Sequence, residues 1–441
     1  MTSKKKAIKT ISLLWITSLL GAGCAFLTQI ILARKLGPEE FGIFSAALTS
    51  ISLLIPLGGF GIAQFWLRSF GQEGWAAKRW LSDSFKFIGT STFLVLILAI
   101  SWATLGPHAE QMKHALIILS AYALGQILVE LVSSKLQLEE EYLKLSSWTL
   151  LPHIFRLLLV LISISVTQEK ATAQDIAISY SIIAIVITGL GIHQLFQMTS
   201  SKFALKGHEN TKEANQTITI KTSIFAQSWP FGMANLFYLI YFQSGVILVN
   251  YITGNAEAGA YSVAFTIIAG IVLFPSVVYQ KFLLPKMHRW STHDKPKFYK
   301  TYREGNLIML SIGIATMAAI LLTPNKLFTM IFGKEYLASI QLLHLLALSI
   351  PIIFIISSIS ATLTTGDNIK RRVKYMGLAA IFNITLNAAL IPAYGAIGAC
   401  ISFLASNIIL CALFYNATEK FVFKNERQKT TKINSNNKSS I

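Results

Sequence analysis

Long runs of Leu, Ile, Val, Phe and Ala recur along the chain, each closed by a short polar or basic stretch. They read Ile11–Ala33, Phe41–Leu67, Phe85–Leu105, Ala115–Ser134, Leu145–Val166, Ile176–Phe196, Ile224–Asn250, Ala260–Leu284, Leu307–Leu322, Leu337–Thr364, Met376–Ile391 and Ile397–Tyr415. A helix needs about 20 residues to cross a ~30 Å hydrocarbon core. The pattern therefore predicts about twelve transmembrane helices, of which the ninth and eleventh are short. None of the runs alternates as a barrel strand would, and lipid leaves only helices and closed barrels as spanning forms. The first run continues past Cys24 to Ala33 and is followed by another membrane segment, which points to a retained helix rather than a cleaved signal.

Comparing the chain with itself adds a repeat. Gly37-Pro38-Glu39-Glu40-Phe41-Gly42-Ile43-Phe44-Ser45-Ala46-Ala47 returns without a gap as Gly254-Asn255-Ala256-Glu257-Ala258-Gly259-Ala260-Tyr261-Ser262-Val263-Ala264, with Gly, Glu, Gly, an aromatic, Ser and Ala in register. Each copy lies between an odd run and the next even one, so the second half starts six helices later and crosses the membrane in the same sense. That arrangement belongs to parallel-repeat, alternating-access transporters. Pro56, with Gly58, Gly59 and Gly61, and Pro275, with Gly270, interrupt the second and eighth runs at nearly matching positions. They mark candidate hinges beside a central cavity, or else small residues that let helices pack closely. The predicted organisation is a six-helix bundle at 1–197, a polar linker at 198–223, a second six-helix bundle at 224–416 and a basic tail at 417–441. The linker and tail are expected on the cytoplasmic side.

Composition agrees: the 441 residues are 53% apolar and only 13% charged, with a mean hydropathy of +0.57. That excludes an ordinary soluble domain. The formal charge of +18 would fit a nucleic-acid binder, but the cations lie between the apolar runs and on one side of them. Of the 38 Lys and Arg, only Arg34, Lys35, Lys113, Lys170, Lys326 and Lys334 fall in the opposite set of connections, and Arg156 lies within a run. The asymmetry places both termini in the cytoplasm and assigns most of the charge to topology and anionic lipid. Cys24, Cys400 and Cys411 all sit in apolar runs with no metal-ligand spacing, so packing is their expected role.

Several motifs are similar to one family. Ala33-Arg34-x-Leu36-Gly37-Pro38-x-x-Phe41-Gly42-x-Phe44, the stretch from Gly59-Phe60-Gly61 to Arg68, Phe332-Gly333-x-x-Tyr336, and Leu386-Asn387-x-x-Leu390-Ile391-Pro392-x-Tyr394-Gly395-x-x-Gly398-Ala399 resemble the Wzx-type polysaccharide flippases. These share a superfamily with the lipid II flippases and the multidrug and toxin extruders. The resemblance covers almost the whole chain. It implies an all-α integral membrane protein with two six-helix bundles around a central cavity. It further implies export of a polyprenyl-diphosphate-linked oligosaccharide head group across the bacterial inner membrane, while the lipid tail stays in the bilayer. Glycosyltransferases and a polymerase of the same pathway would be its partners. Where many relatives carry a charge midway along the seventh helix, this chain has Gln243-Ser244-Gly245.

Candidate chemistry is sparse. Arg156 sits deep in an apolar run, where an Arg costs roughly 2.5–3.5 kcal/mol on insertion scales. It could bind the diphosphate or acidic sugars of a substrate, or pair with Glu130 on the preceding helix. His153, one turn away, and Glu130 could relay a proton if transport is coupled to an ion gradient. Arg68 and Lys286, at nearly repeat-equivalent helix ends, could receive the diphosphate or simply anchor topology. Tyr241, among the aromatics Trp229, Phe237, Tyr238 and Phe242, could stack on sugars. Asn387, one turn from Asn383, could bond sugar hydroxyls or glue helices together. No nucleophile–base set, metal cluster or phosphate-cradling loop stands out, so neither an enzyme nor a cofactor is expected. A polysaccharide polymerase or ligase would need a larger external loop, and a drug extruder would suit a less basic chain.

Overall fold

The computed structural model describes residues 3–167, 171–200, 203–206, 223–365 and 369–423. Lys170, the middle of the predicted linker and the tail from Lys424 lie outside them, as do the side chains of Lys4, Lys5, Lys6 and Lys9. Every regular element among the described residues is helical. Eight stretches are long and apolar enough to cross a membrane, and the bent pair Lys334–Ala347 and Ile350–Leu363 makes a ninth. The first three predicted runs share Ser12–Leu105 and the last two share Ile369–Val422, while the tenth falls on the bent pair. The chain is an all-α integral membrane protein.

Two compact units divide it. The first comprises Met1–Leu239 with Gly254–Gly259, and the second comprises Ile240–Thr253 with Ala260–Ile441. In the first unit lie α1 (Ser3–Leu54), α2 (Ile62–Glu73), α3 (Leu81–Leu105), α4 (Glu110–Leu138), α5 (Tyr142–Val166), α6 (Ala173–Phe196) and the start of α7 (Ile224–Thr253). The second unit takes the rest of α7 and, after Gly259, α8 (Asn255–Ser276). It continues with α9 (Leu284–His293), α10 (Lys295–Leu321), α11 (Asn325–Phe332), α12 (Leu337–Ala347), α13 (Ile350–Leu363) and α14 (Ile369–Ala417).

Glycines set where the long helices turn. Inside α1, Gly37 has φ 73° and Pro38 follows it. Glycine supplies the left-handed residue that ends one helix, and proline suits the first turn of the next. Gly395, at φ 57°, divides α14 in the same way. The second predicted run breaks more severely. A 3-10 turn at Ile55–Leu57 contains Pro56, and Gly59, Phe60 and Gly61 all have positive φ before α2 begins. Gly61 lies so close to the Ser228 carbonyl and the Gly232 amide that a Cβ would not fit, and Phe60 stacks on Phe225 with centroids 5.5 Å apart. This contact explains why the first unit includes the start of α7, so that the compact division falls at Leu239 and not in the predicted linker. The eighth run differs from the expected symmetric break. Its helix continues through Pro275 and widens into a π-helical turn at Val277–Leu283, one way a chain absorbs a proline without ending the helix.

The beginning of the expected polar linker is packed chain. Met198, Phe203 and Leu205 are buried, Phe203 meets the rings of Phe70 and Trp75, and the Lys206 amide donates to the Leu138 carbonyl at 3.1 Å. At the same end Lys135, 2% exposed, bridges Glu139 at 3.1 Å and donates to Gln194 and Gln197, a buried charge with all its donors engaged.

The internal repeat is visible in backbone and burial. Gly254 has φ 105°, matching Gly37. Phe44 and Tyr261, Ser45 and Ser262, and Ala47 and Ala264 are buried in pairs. Within the first unit the two turns also meet reciprocally. Gly42 backs onto the Asn255 carbonyl, and Gly259 backs onto the Pro38 carbonyl. Because 259 and 255 are the repeat equivalents of 42 and 38, the contact is isologous, the kind a two-fold relation generates. A Cβ on either glycine would overlap backbone, which has no rotamer to yield. Gly42→Ala and Gly259→Ala should each lower stability by about 1–3 kcal/mol, the usual range for overpacking, and by similar amounts. Thermal unfolding of the purified variants would check both size and equality.

Candidate functional site

Arg156 is 6% exposed, on α5 of the first unit. Its guanidinium lies 4.9 Å from the Tyr122 ring centroid on α4 and 5.4 Å from that of Tyr180 on α6. The two tyrosines contact each other at 5.9 Å, and Phe44, the aromatic of the first repeat turn, meets Tyr180 edge-on at 5.1 Å. A desolvated cation–π contact contributes about 2 kcal/mol, so two of them offset an insertion cost of roughly 2.5–3.5 kcal/mol. The aromatic slot thus holds the cation without a counter-charge. Its Nε and Nη2 are buried and have no hydrogen-bond partner among the described residues.

The alternative pairing with Glu130 is not what the structure contains. Glu130 Oε1 instead accepts a hydrogen bond of 2.6 Å from Gln64 Nε2 on α2. Helix rise explains the separation. Counting from the α4–α5 connection, at 1.5 Å per residue Glu130 lies about 12 Å along α4 and Arg156 about 21 Å along α5. His153, one turn from Arg156, is partly buried, with its ring packed where α1 has Gly21. The aromatic partners Tyr122 and Tyr180 were not singled out from the sequence. Their signal was a hydroxyl-bearing ring inside each of two apolar runs, visible only once the helices are paired.

The close packing of α4 on α6 builds this slot. Gly125 faces Ala184 with no room for a Cβ, and Ser181 Oγ donates to the Ile118 carbonyl at 2.6 Å. Helix α6 starts from a capping box formed by Thr172 and Asp175. Glu40, shared by both repeat turns, accepts from the Ala173 amide at 2.7 Å, a favourable place for a carboxylate at a helix N-terminus.

Tyr241 and Asn387 belong to a different construction, in the second unit. The Tyr241 hydroxyl donates to Asn407 Oδ1. Ser244 Oγ and Asn387 Nδ2 both donate to Asn383 Oδ1, at 2.8 and 2.9 Å, and Asn383 Nδ2 donates to Ser406 Oγ at 3.0 Å. The result is a buried, neutral seam tying α7 to both arms of α14. Phe242 packs beside it against Phe265 and Phe403, whereas Tyr238 is 39% exposed. Arg68 is exposed on α2 of the first unit and Lys286 partly buried on α9 of the second. No group of three or more His, Cys, Asp or Glu able to hold a metal occurs among the described residues.

Residues 7–290 match the family model described as "Polysaccharide biosynthesis protein". The capsular polysaccharide biosynthesis protein CapF of Staphylococcus aureus is 24% identical across 92% of this chain and 98% of its own length. The probable flippase AglR of Haloferax volcanii is 27% identical across 54% of this chain and 52% of its own length. Among solved structures, the inward closed conformation of the lipid II flippase MurJ superposes with a TM-score of 0.69 over 93% of this chain and 88% of that one, at 14% identity. The last of these is a likeness of fold.

The polar seam of the second unit makes its own prediction. Asn383→Leu leaves both Ser244 and Asn387 without their acceptor, and a stranded buried group costs about 1–3 kcal/mol. Ser402 Oγ already lacks a partner, so Ser402→Ala should change stability by no more than about 0.5 kcal/mol. Thermal unfolding midpoints of the two variants should separate accordingly.

Proposed function

The chain belongs to the polysaccharide biosynthesis protein family, a family of multi-pass membrane transporters, and we propose that it moves polyprenyl-diphosphate-linked oligosaccharide across the bacterial inner membrane. The observation that carries this reading is Arg156, a buried guanidinium with two nitrogens unmatched. A fixed cation held inside a membrane by aromatic faces is suited to an anionic group that arrives and leaves, because a permanent partner would already occupy its donors. An anionic head group fits that cation, and the cationic drug of an extruder does not.

Arg68 and Lys286 would meet the diphosphate at the inner surface, each within its own unit. The charge asymmetry of the connections supports cytoplasmic termini. Tyr241 and Asn387 enter as part of the frame of the second unit. Tyr241 bonds from α7 to Asn407 on α14, and Asn387 donates within α14 to Asn383, the acceptor that also receives Ser244 of α7.

Loss of the protein should trap lipid-linked oligosaccharide in the inner leaflet. Leaflet-selective labelling in a deletion strain measures this, and normal delivery of the glycan together with new drug sensitivity would favour an extruder. In the complemented strain, Arg156→Gln should reduce delivery about ten- to a hundredfold, the equivalent of roughly 1.5–3 kcal/mol for hydrogen bonds to a charged group. Arg156→Lys should keep part of the activity, since the charge survives and the planar fork does not. Because Arg156 and Glu130 are not paired, adding Glu130→Gln to Arg156→Gln should restore nothing. Delivery recovered to the wild-type level in the double variant would remove Arg156 from the site.

A further inference from the structure

A second ionisable group lies inside a spanning helix of the first unit. Glu130 sits on α4 (Glu110–Leu138), about 9 Å from the helix midpoint at 1.5 Å per residue, and so within the hydrocarbon layer. No ion pair reaches it among the described residues. Its described hydrogen bond is the one from Gln64 Nε2, at 2.6 Å. The other end of the same amide, Gln64 Oε1, is buried with no partner.

The two facts fit together chemically. An ionised carboxylate only accepts, and an amide oxygen only accepts. With Glu130 charged, the amide oxygen stays unmatched and a lone anion remains at membrane depth without a counter-charge among the described residues. With Glu130 protonated, its O–H can donate to Gln64 Oε1 while Gln64 Nε2 donates back. The pair then closes a two-bond acid–amide ring with no atom unmatched. Turning the amide over changes nothing, since its oxygen would then abut the carboxyl, a contact that only a proton can bridge.

We propose that Glu130 and Gln64 form a proton-binding site, filled in this conformation, through which transport draws on a proton gradient. The step is a proton transfer from hydronium in the aqueous phase to the Glu130 carboxylate, which takes the side chain from −1 to neutral. Gln64 stands in the first turn of α2, directly after the left-handed residues Gly59, Phe60 and Gly61. Loss of the proton unmatches the ring and leaves an uncompensated charge at membrane depth, which loosens α2 from α4 at that break. The site stands apart from Arg156, and its link to transport rests on the flippase reading above.

Other titratable groups on the elements packed against α4 do not compete for the role. On α1, Arg34, Lys35, Glu39 and Glu40 lie at the opposite end of the bundle. The 3-10 turn Ile55–Leu57 has no titratable group. Arg68 on α2 is exposed, and Glu73 pairs with Arg79. Asp83 and Lys86 on α3 pair with each other near its start. On α5, Tyr142 and Lys144 lie at the inner end, and His153 and Arg156 lie further outward. On α6, Asp175 caps the outer end, Tyr180 stacks on Arg156, and His193 lies beside Gln197 at 3.5 Å. On α4 itself, Lys135 is held by Glu139, Gln194 and Gln197.

Infrared spectroscopy of the purified full-length protein tests the site without any substrate. A protonated-carboxyl C=O band is expected at neutral pH, shifted in heavy water, lost at alkaline pH and absent from Glu130→Gln. Wild-type protein lacking that band, or a Glu130→Gln variant retaining it, would overturn the proposal. If the variant fails to fold, the alkaline titration of the wild-type band decides alone. Coupling is read separately, in vesicles carrying lipid-linked oligosaccharide. An imposed pH difference should accelerate wild-type translocation and leave Glu130→Gln unaffected. Wild-type translocation that proceeds but ignores the gradient sinks the coupling while leaving the flippase reading in place.

Discussion

A polar group taken into hydrocarbon without a partner costs several kcal/mol, so each one inside a spanning helix must be matched by the protein itself. Most of the hydroxyls here meet that demand locally. Ser50 donates to the Ala46 carbonyl and Thr188 to the Ala184 carbonyl, one turn back along their own helices. Larger polar groups are bonded between helices, fully in the Lys135 cluster of the first unit and partly in the Asn383 seam of the second, where Asn387 Oδ1 and Ser402 Oγ stay unmatched. Several buried side-chain atoms nonetheless stay unmatched, and two sets of them lie beside ionisable chemistry within the spanning helices of the first unit. Arg156 keeps two nitrogens unmatched in an aromatic slot, and Gln64 keeps one oxygen unmatched beside a carboxyl. The first suits an anion that comes and goes, and the second suits a proton.

The same demand governs the backbone. A helix broken at the depth of the membrane releases N–H groups, which is tolerable only where protein can bind them. At the break in the second run, the Gly58 amide bonds the Ile55 carbonyl and the Gly59 amide bonds Ser91 Oγ. The Ile62 amide then bonds the Gly59 carbonyl, so helix restarts at once. Gly61 can sit against the α7 backbone only because it lacks a Cβ. Beside Pro275 the chain solves the same problem differently, by widening the helix. Two halves that share a repeat at one end therefore diverge at the other, giving the first unit a sharp joint and the second a continuous helix.

The sequence showed the spans because apolar runs of about twenty residues have few physical meanings. It showed the repeat because Gly37, Glu40 and Gly42 serve backbone geometry and capping, which tolerate few other residues. The break at Pro56 was legible from its proline and three glycines. What Pro275 does was not, since a proline in a long helix can end, kink or widen it, and neighbouring helices decide. Arg156 was found because an Arg in an apolar run is costly wherever it lies. Its tyrosines and the Gln64–Glu130 ring were missed because they depend on helix rotation and depth, which no single run encodes. The alternative Arg156–Glu130 pairing overlooked about 9 Å of helix rise, and the plain polar linker overlooked Phe203 and Leu205 packing into the core of the first unit.

The central claim is that this protein carries a lipid-linked anionic oligosaccharide from one leaflet to the other. Purified protein reconstituted in vesicles with a fluorescent polyprenyl-diphosphate oligosaccharide confined to the inner leaflet tests it directly, through quenching by a membrane-impermeant reagent outside. The account predicts a quenched fraction that grows with time in vesicles containing the protein, and grows much more slowly with Arg156→Gln. A quenched fraction no different from that of protein-free vesicles would contradict it.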